Sequence, residues 1–246
     1  MKITTLGTRG EIPKSDRRHR KHSGVLIDDT ILFDLGERAF LRYRPQAIFI
    51  THLHPDHAVF LRESLRTSAP IYAPERDRYQ IHVIEKPLRI GPYRIRPIPT
   101  RHAILVKSCA YLVERNNGRV LYTGDIVAMD RRHRKTLGTL DCIITEASYL
   151  RKGGLVRRHP QSDKPYGHTG IPDLIRLFKP HTDRIILTHF GSWFFADVKR
   201  SRLAIASLAK LHNIELIAAY DGMTIDVVRR GHKKRSAPAG PSEAQT

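Results

Sequence analysis

Within residues 52–57 the sequence places His52, His54, Asp56 and His57, directly after the apolar run Ala47-Ile48-Phe49-Ile50. Neutral imidazole and carboxylate are the ligands that zinc and neighbouring first-row metals take. Four ionisable groups this close would repel or titrate one another unless something organised them. A strand that ends in such a loop can aim two side chains at one metal ion and the next two at a second. The chemistry this pattern offers is metal binding.

Further ligands occupy matching settings downstream. His102 follows the extended segment 94–100, Asp125 closes the strand and glycine turn of residues 119–124, and His189 ends the apolar run 184–188. Each lies just past a β-rich run, where strands deliver side chains to a shared edge.

In that order the motifs resemble the metallo-β-lactamase superfamily. Asp34, in Ile31-Leu32-Phe33-Asp34-Leu35-Gly36, is similar to the family's first motif, so the resemblance covers residues 1–228. It implies that His52, His54 and His102 hold one divalent ion and that Asp56, His57 and His189 hold a second. Asp125 would bridge the two, and Asp34 would orient the histidine loop. Zinc is the expected metal, with Mn2+ or Fe2+ as alternatives. The diiron flavoprotein relatives carry Glu where this chain has His54, so their redox chemistry is not expected. Single-iron dioxygenase relatives share much of the histidine pattern, but a complete two-metal set favours hydrolysis. Two cations about 4 Å apart generate hydroxide near neutral pH and neutralise both attacking and leaving oxygens.

A narrower resemblance lies between Asp125 and His189. The strand 140–149 carries Glu146, and Gly167-His168-Thr169-Gly170 opens a helical segment over 171–178, with Thr169 as its expected cap. This looks like the paired Glu and His of the tRNase Z branch. The catalytic candidates are therefore Asp56, Glu146 and His168, with Glu146 orienting His168 and His168 contacting the phosphate or protonating the leaving oxygen. Relatives that process pre-tRNA carry an arm between the second and third motifs. The gap from His57 to His102 reads only as a helix over 59–67 and a few strands, with no spare arm, so smaller phosphodiesters or RNA 3′ ends fit better.

Charge bears on the substrate class. The 246 residues hold 43 Lys and Arg against 24 Asp and Glu, a net charge of +19. The basic residues gather at 17–21, 131–135 and 151–158, all chain neighbours of the site motifs. Such a field attracts polyanions without reading their sequence, although a solvated basic surface would look the same. The reading is a binuclear metal-dependent phosphodiesterase. The alternatives are an acyl hydrolase using the same metal chemistry (thioesterase, lactonase or β-lactamase-like) and a noncatalytic nucleic-acid-binding protein. Partners would be a small phosphodiester or RNA, and the resemblance offers a homodimer.

The elements that must position these residues read as one α/β domain, an αββα sandwich of two mixed sheets flanked by helices. Residues 1–125 are expected to supply the first half and 141–228 the second. An amphipathic helix is expected over 199–212, with Leu203, Ala206, Leu208 and Leu211 as its apolar positions. The strands 215–219 and 223–228 are expected to form a hairpin on Asp221-Gly222. Of Trp193-Phe194-Phe195 at least one should be core, with Trp193 left open as a pocket residue. Cys109 and Cys142 sit in core strands without metal spacing and are expected to be buried and reduced. Residues 229–246, basic and then rich in Pro, Ala and Ser, read as a disordered tail. No run suits a membrane span and no signal peptide is evident, so the expected location is cytoplasmic.

Overall fold

In the central strands most residues are buried, and odd and even positions serve different cores. The computed structural model describes residues 1–116 and 118–227; the expected tail lies outside them. In chain order the strands are β1 (Lys2–Gly7), β2 (Gly24–Ile27), β3 (Ile31–Phe33), β4 (Ala47–Phe49), β5 (Ile71–Ala73), β6 (Ile81–Val83), β7 (Leu88–Ile90) and β8 (Tyr93–Thr100). They continue as β9 (Ser108–Arg115), β10 (Gly118–Tyr122), β11 (Cys142–Ala147), β12 (Leu155–Arg158), β13 (Pro165–His168), β14 (Arg184–Phe190), β15 (Glu215–Ala218) and β16 (Met223–Asp226). The helices are α1 (Arg131–Lys135), α2 (Ile171–Phe178), α3 (Ser192–Ala196) and α4 (Val198–His212).

One seven-stranded sheet runs β16-β1-β2-β3-β4-β5-β6 and the other β15-β14-β11-β10-β9-β8-β7. Both are mixed: β3 to β6 pair in parallel and so do β10, β11, β14 and β15, while their neighbours pair antiparallel. Side chains alternate across a strand. Thus Cys109, Tyr111 and Val113 of β9 face the core between the sheets, where they meet Val25, Ile27, Phe33 and Phe49. Ala110 and Leu112 face the opposite core, beneath α2, α3 and α4. Burial on both faces explains why these strands read as continuous apolar runs rather than alternating ones. The fold is the αββα sandwich, with the outer face of the first sheet covered by two short 3-10 turns, Arg38–Tyr43 and Val59–Leu61, carrying buried Phe40 and Phe60. The helix expected over 59–67 is therefore a single turn.

Four further expectations need correction. The halves do not divide at residue 125: β7 to β10 belong to the second sheet, and β16 returns to the first beside β1. For the same reason β15 and β16 are not a hairpin. Asp221-Gly222 carries the chain from one sheet to the other, with Gly222 at φ 84°. In α4 the buried side chains are Ser201 and Ile205, whereas Leu203 is 62% and Leu211 75% exposed. The helix packs on Val198, Ser201, Ile205 and Leu208, so of the expected apolar positions Leu208 faces inward and Leu203, Ala206 and Leu211 do not. Nor does Thr169 cap α2; Gly170 is its N-cap, and no side chain caps it. Ile171, Leu174, Ile175 and Phe178 line one face of α2, each contributing about 1.5–3 kcal/mol by its burial.

Residues 8–23 form a strap along the edge of the site, fastened by a buried polar chain. His19, expected as part of a basic cluster, is fully buried. It is packed edge-on to Phe190, Phe194 and Phe195. Its Nε2 accepts from Arg202 at 3.1 Å and its Nδ1 donates to Thr8 Oγ1 at 2.8 Å, while Thr8 Oγ1 donates to Asp221 Oδ1 at 2.7 Å. Burial, and then the Arg202 charge, lower the His19 pKa from 6.5 to about 4. The unfolded chain therefore binds a proton that the folded chain refuses. Its contribution to stability is full above the unfolded value and is lost as pH falls from 6.5 towards 4, by up to about 1.4 kcal/mol per pH unit. Denaturant titrations between pH 7 and 4 should show a shallower pH dependence for His19→Gln than for wild type.

Candidate metal centre

The loops that follow β3, β4, β8, β10, β11 and β14 meet at one rim of the sandwich. Asp34, just after β3 at φ 55°, is fully buried and acts as the hub of the histidine loop. Its carboxylate accepts from Thr51 N at 2.7 Å, from Thr51 Oγ1 at 3.0 Å, from His57 Nδ1 at 2.7 Å and from Tyr122 OH at 2.7 Å. Thr51 Oγ1 in turn accepts from His52 Nδ1 at 3.1 Å. One carboxylate thus sets the ring orientation of His57 and, through Thr51, of His52. Gly124 lies at φ 57°, and a Cβ there would come within 2.4 Å of Thr51 Oγ1, so the turn into Asp125 accepts only glycine.

Two donor sets result. His52 Nε2 and His54 Nδ1 are 3.0 Å apart, and His102 Nε2 is 3.3 Å from His54 Nδ1. Bonds of 2.0–2.1 Å in a tetrahedron separate their donors by about 3.3 Å, so this spacing fits zinc. His102 is held by the donation of its Nδ1 to Gly167 O at 2.8 Å. Burial in first place, and neighbouring imidazoles, keep all three neutral, with His54 lowered to about 4. A neutral imidazole is the form that ligates. In the second set Asp56 Oδ2 lies 3.0 Å from His189 Nε2 and 3.6 Å from His57 Nε2. Burial opposes charge on His57 and His189, but Asp125 and the other carboxylates outweigh it and raise both.

Asp125 stands between the sets. Its Oδ2 is 3.5 Å from His57, 3.6 Å from His102 and 3.9 Å from His52, and its Oδ1 is 3.4 Å from His189 Nδ1. Asp125 Oδ1 is buried without a hydrogen-bond partner among the described residues. A buried carboxylate oxygen left unpaired is costly, and a divalent cation would satisfy it. The donor types, the spacing and this orphaned oxygen all fit divalent metal.

Glu146 and His168 meet beside this centre. Glu146, within β11, is 1% exposed and accepts from Ile126 N at 2.6 Å and from His168 Nδ1 at 2.7 Å. His168 Nε2 has no hydrogen-bond partner among the described residues. Burial pulls the His168 pKa down, but the Glu146 charge and hydrogen bond, joined by Asp125 and Asp56, raise it to about 9. His168 closes β13 rather than lying in a loop.

A cavity of about 240 Å³ is lined by His54, Asp56, Asp125, His168 and His189, with Gly10, Glu11, Tyr149 and Trp193 around them. Phe194 is core, whereas Trp193 lines the cavity and donates its Nε1 to Ala147 O at 2.9 Å. Sequence reasoning missed the strap wall. A Cβ on Gly10 would approach His189 Cε1 to 3.0 Å, so the strap presses directly on the ring. Ser148 Oγ, 3.0 Å from His189 Nδ1, was also missed. Its position two residues after Glu146 was the available signal. The three basic clusters diverge: 17–21 joins the strap, 131–135 forms α1, and 151–158 leads into the β12–β13 hairpin.

The fold and this centre define a class. A family model described as the beta-lactamase superfamily domain matches residues 37–190, and the chain belongs to that superfamily. Among curated proteins, the ribonuclease Z of Methanococcus maripaludis is 33% identical over 136 residues, which cover 49% of this chain and 43% of that relative. The chain thus matches less than half the length of that relative. Among solved structures, the metallo-beta-lactamase fold protein YhfI of Bacillus subtilis superposes with a TM-score of 0.66 at 20% identity, covering 91% of this chain and 98% of that one. The short form of human tRNase Z gives a TM-score of 0.60 at 19% identity, covering 93% and 100%. At those identities the two structures speak for the fold. No described helix is long and apolar enough to cross a membrane.

Proposed function

We propose that this chain is a binuclear metal-dependent hydrolase of phosphodiester bonds, in a small diester or at an RNA 3′ end. The observation that carries the reading is the Glu146–His168 pair, 2.7 Å apart, with His168 lining the same cavity as Asp56 and Asp125. The ribonuclease Z likeness supports the same substrate class. His52, His54 and His102 would hold one ion and Asp56, His57 and His189 the other, with Asp125 shared. When bound, the ions would lower the pKa of water and neutralise charge on the phosphate.

The protein groups supply the rest. The cavity lining sets the carboxylates of Asp56 and Asp125 beside the imidazoles of His54, His168 and His189, so bound cations would add the positive charge that a phosphate diester needs. Asp56 is placed to accept a proton from the attacking water. His168, kept protonated by Glu146, donates from Nε2 to the leaving oxygen, and its Nδ1 proton stays on the Glu146 side. Trp193 and the strap at Gly10 close the cavity on either side.

Zinc- or manganese-loaded protein is expected to hydrolyse bis(p-nitrophenyl) phosphate. Chelation should abolish this, and two equivalents of metal per chain should restore it. Loaded protein that ignored the diester but opened thioesters or lactones would assign the centre to acyl transfer instead.

A further inference from the structure

A larger cavity, of about 520 Å³, lies on the other side of the His102 segment. It sits between residues 97–109 and the β12–β13 hairpin, and none of the metal-centre residues lines it. Pro97, Pro99, Ile84 and Ile104 give it apolar walls, and its charged side chains are Arg101, Lys107 and Lys164 against Glu85 alone. Arg101 pairs with Asp130 at 3.2 Å, which leaves Lys107 and Lys164 as the cations without an ion pair among the described residues. The volume lies in the range of small-ligand sites, about 300–1,000 Å³.

The wall that separates the two cavities is shared by both. Gly167 N donates to His102 O at 2.7 Å, and His102 Nδ1 donates back to Gly167 O at 2.8 Å. Along β13, His168 lines the smaller cavity while Pro165 and Lys164 line the larger. Three steps along the strand take Pro165 to His168, roughly 10 Å. The hairpin itself is basic and outward-facing: Arg157 and Arg158 are exposed, and Leu155 and Val156 are 37% and 40% exposed. This hairpin rises from the Glu146–His168 pair, between the fourth and fifth motifs.

We propose that the larger cavity is the subsite for the nucleoside phosphate adjoining the scissile bond of a single-stranded polynucleotide, a reading that rests on the phosphodiesterase assignment. The apolar walls take the base by packing, without hydrogen-bond readout, and Lys107 and Lys164 take the phosphate. Binding is therefore tolerant of sequence and sensitive to salt.

The test is fluorescence anisotropy of a labelled phosphorothioate oligouridylate with metal-loaded full-length protein. The double variant Lys107→Glu/Lys164→Glu should weaken binding, and the slope of log K against log salt should become shallower by about 1.4, about 0.7 for each lost single-strand contact. Ile104→Trp, which fills the cavity, should weaken binding with the slope retained. Lys199→Glu/Lys210→Glu on exposed positions of α4 makes the same charge change elsewhere and should retain both affinity and slope. Equal weakening in the two double variants would reduce the effect to the general field and overturn the subsite. Unchanged binding in Ile104→Trp would overturn it as well. Hydrolysis of bis(p-nitrophenyl) phosphate, scored separately, judges the phosphodiesterase reading without touching this result.

Discussion

Asp125→Ala is expected to give a folded protein that retains fewer than two metal ions and has lost turnover. Among the described residues, this side chain is the only carboxylate placed within 4 Å of imidazoles from both donor sets, so its removal unties them at once. Groups that merely orient ligands cost about 10–100-fold in affinity or activity when removed, and a shared ligand should cost more. The backbone risk is small, because Gly124 makes the turn and Asp125 Oδ1 has no hydrogen-bond partner among the described residues. Metal binding to the native state alone stabilises it by about 2.7 kcal/mol at a hundredfold excess over Kd. Thermal unfolding with and without zinc therefore separates the possibilities. Wild type should shift upward on zinc addition and Asp125→Ala much less. An Asp125→Ala protein that held two ions and kept its rate would remove the bridging role.

His168→Ala is expected to lose about 10²–10⁴-fold in kcat on phosphodiesters, the usual contribution of a positioned proton donor. The metal content should stay at the wild-type value, which distinguishes this loss from that of Asp125→Ala. Glu146→Gln should act through the same ring. It removes the charge that holds the His168 pKa near 9, so the alkaline limb of the pH–rate profile should move to lower pH. Cations on Asp125 and Asp56 offset part of that rise in the loaded enzyme, and the direction of the Glu146→Gln shift is unchanged by them. The double variant should be scarcely worse than His168→Ala, because both substitutions remove one device. Additive losses would show that Glu146 does something other than orient His168.

The site was more legible than the frame around it. His52, His54, Asp56 and His57 announce themselves because no packing rule calls for four such groups in six residues, and the structure does bring His102, Asp125 and His189 to them. Strand positions were readable from apolar runs, but sheet membership was not. β15 and β16 are neighbours in sequence with a turn between them, yet long-range pairing sends them to different sheets. The helix over 198–212 was visible as a period, but its apolar residues are spread widely enough that the period alone could not say which stripe faces inward. His19 misled for a related reason. Among four cations it looks solvated, and only the tertiary partners Phe190, Phe194 and Arg202 explain its burial. The hairpin arm carried no signal beyond its charge, since its exposed strands lack the apolar alternation that marks a half-buried strand.

The return of β16 to the edge beside β1 has a kinetic consequence. Lys2 pairs with Asp226 and Ile3 with Ile225, so the first sheet is completed by contacts far apart in sequence. Pairing of this kind is slow, because loop closure precedes any gain from the contact. Asp221, just before β16, also accepts from the backbone of Arg20 and Lys21 and from Thr8, and so clamps the strap whose Gly10 presses on His189. On a ribosome, the wall of the metal centre cannot be finished while residues 221–226 are still in the exit tunnel. Metal capture in its final geometry therefore waits for residues 221–226 to emerge, well after the histidine loop.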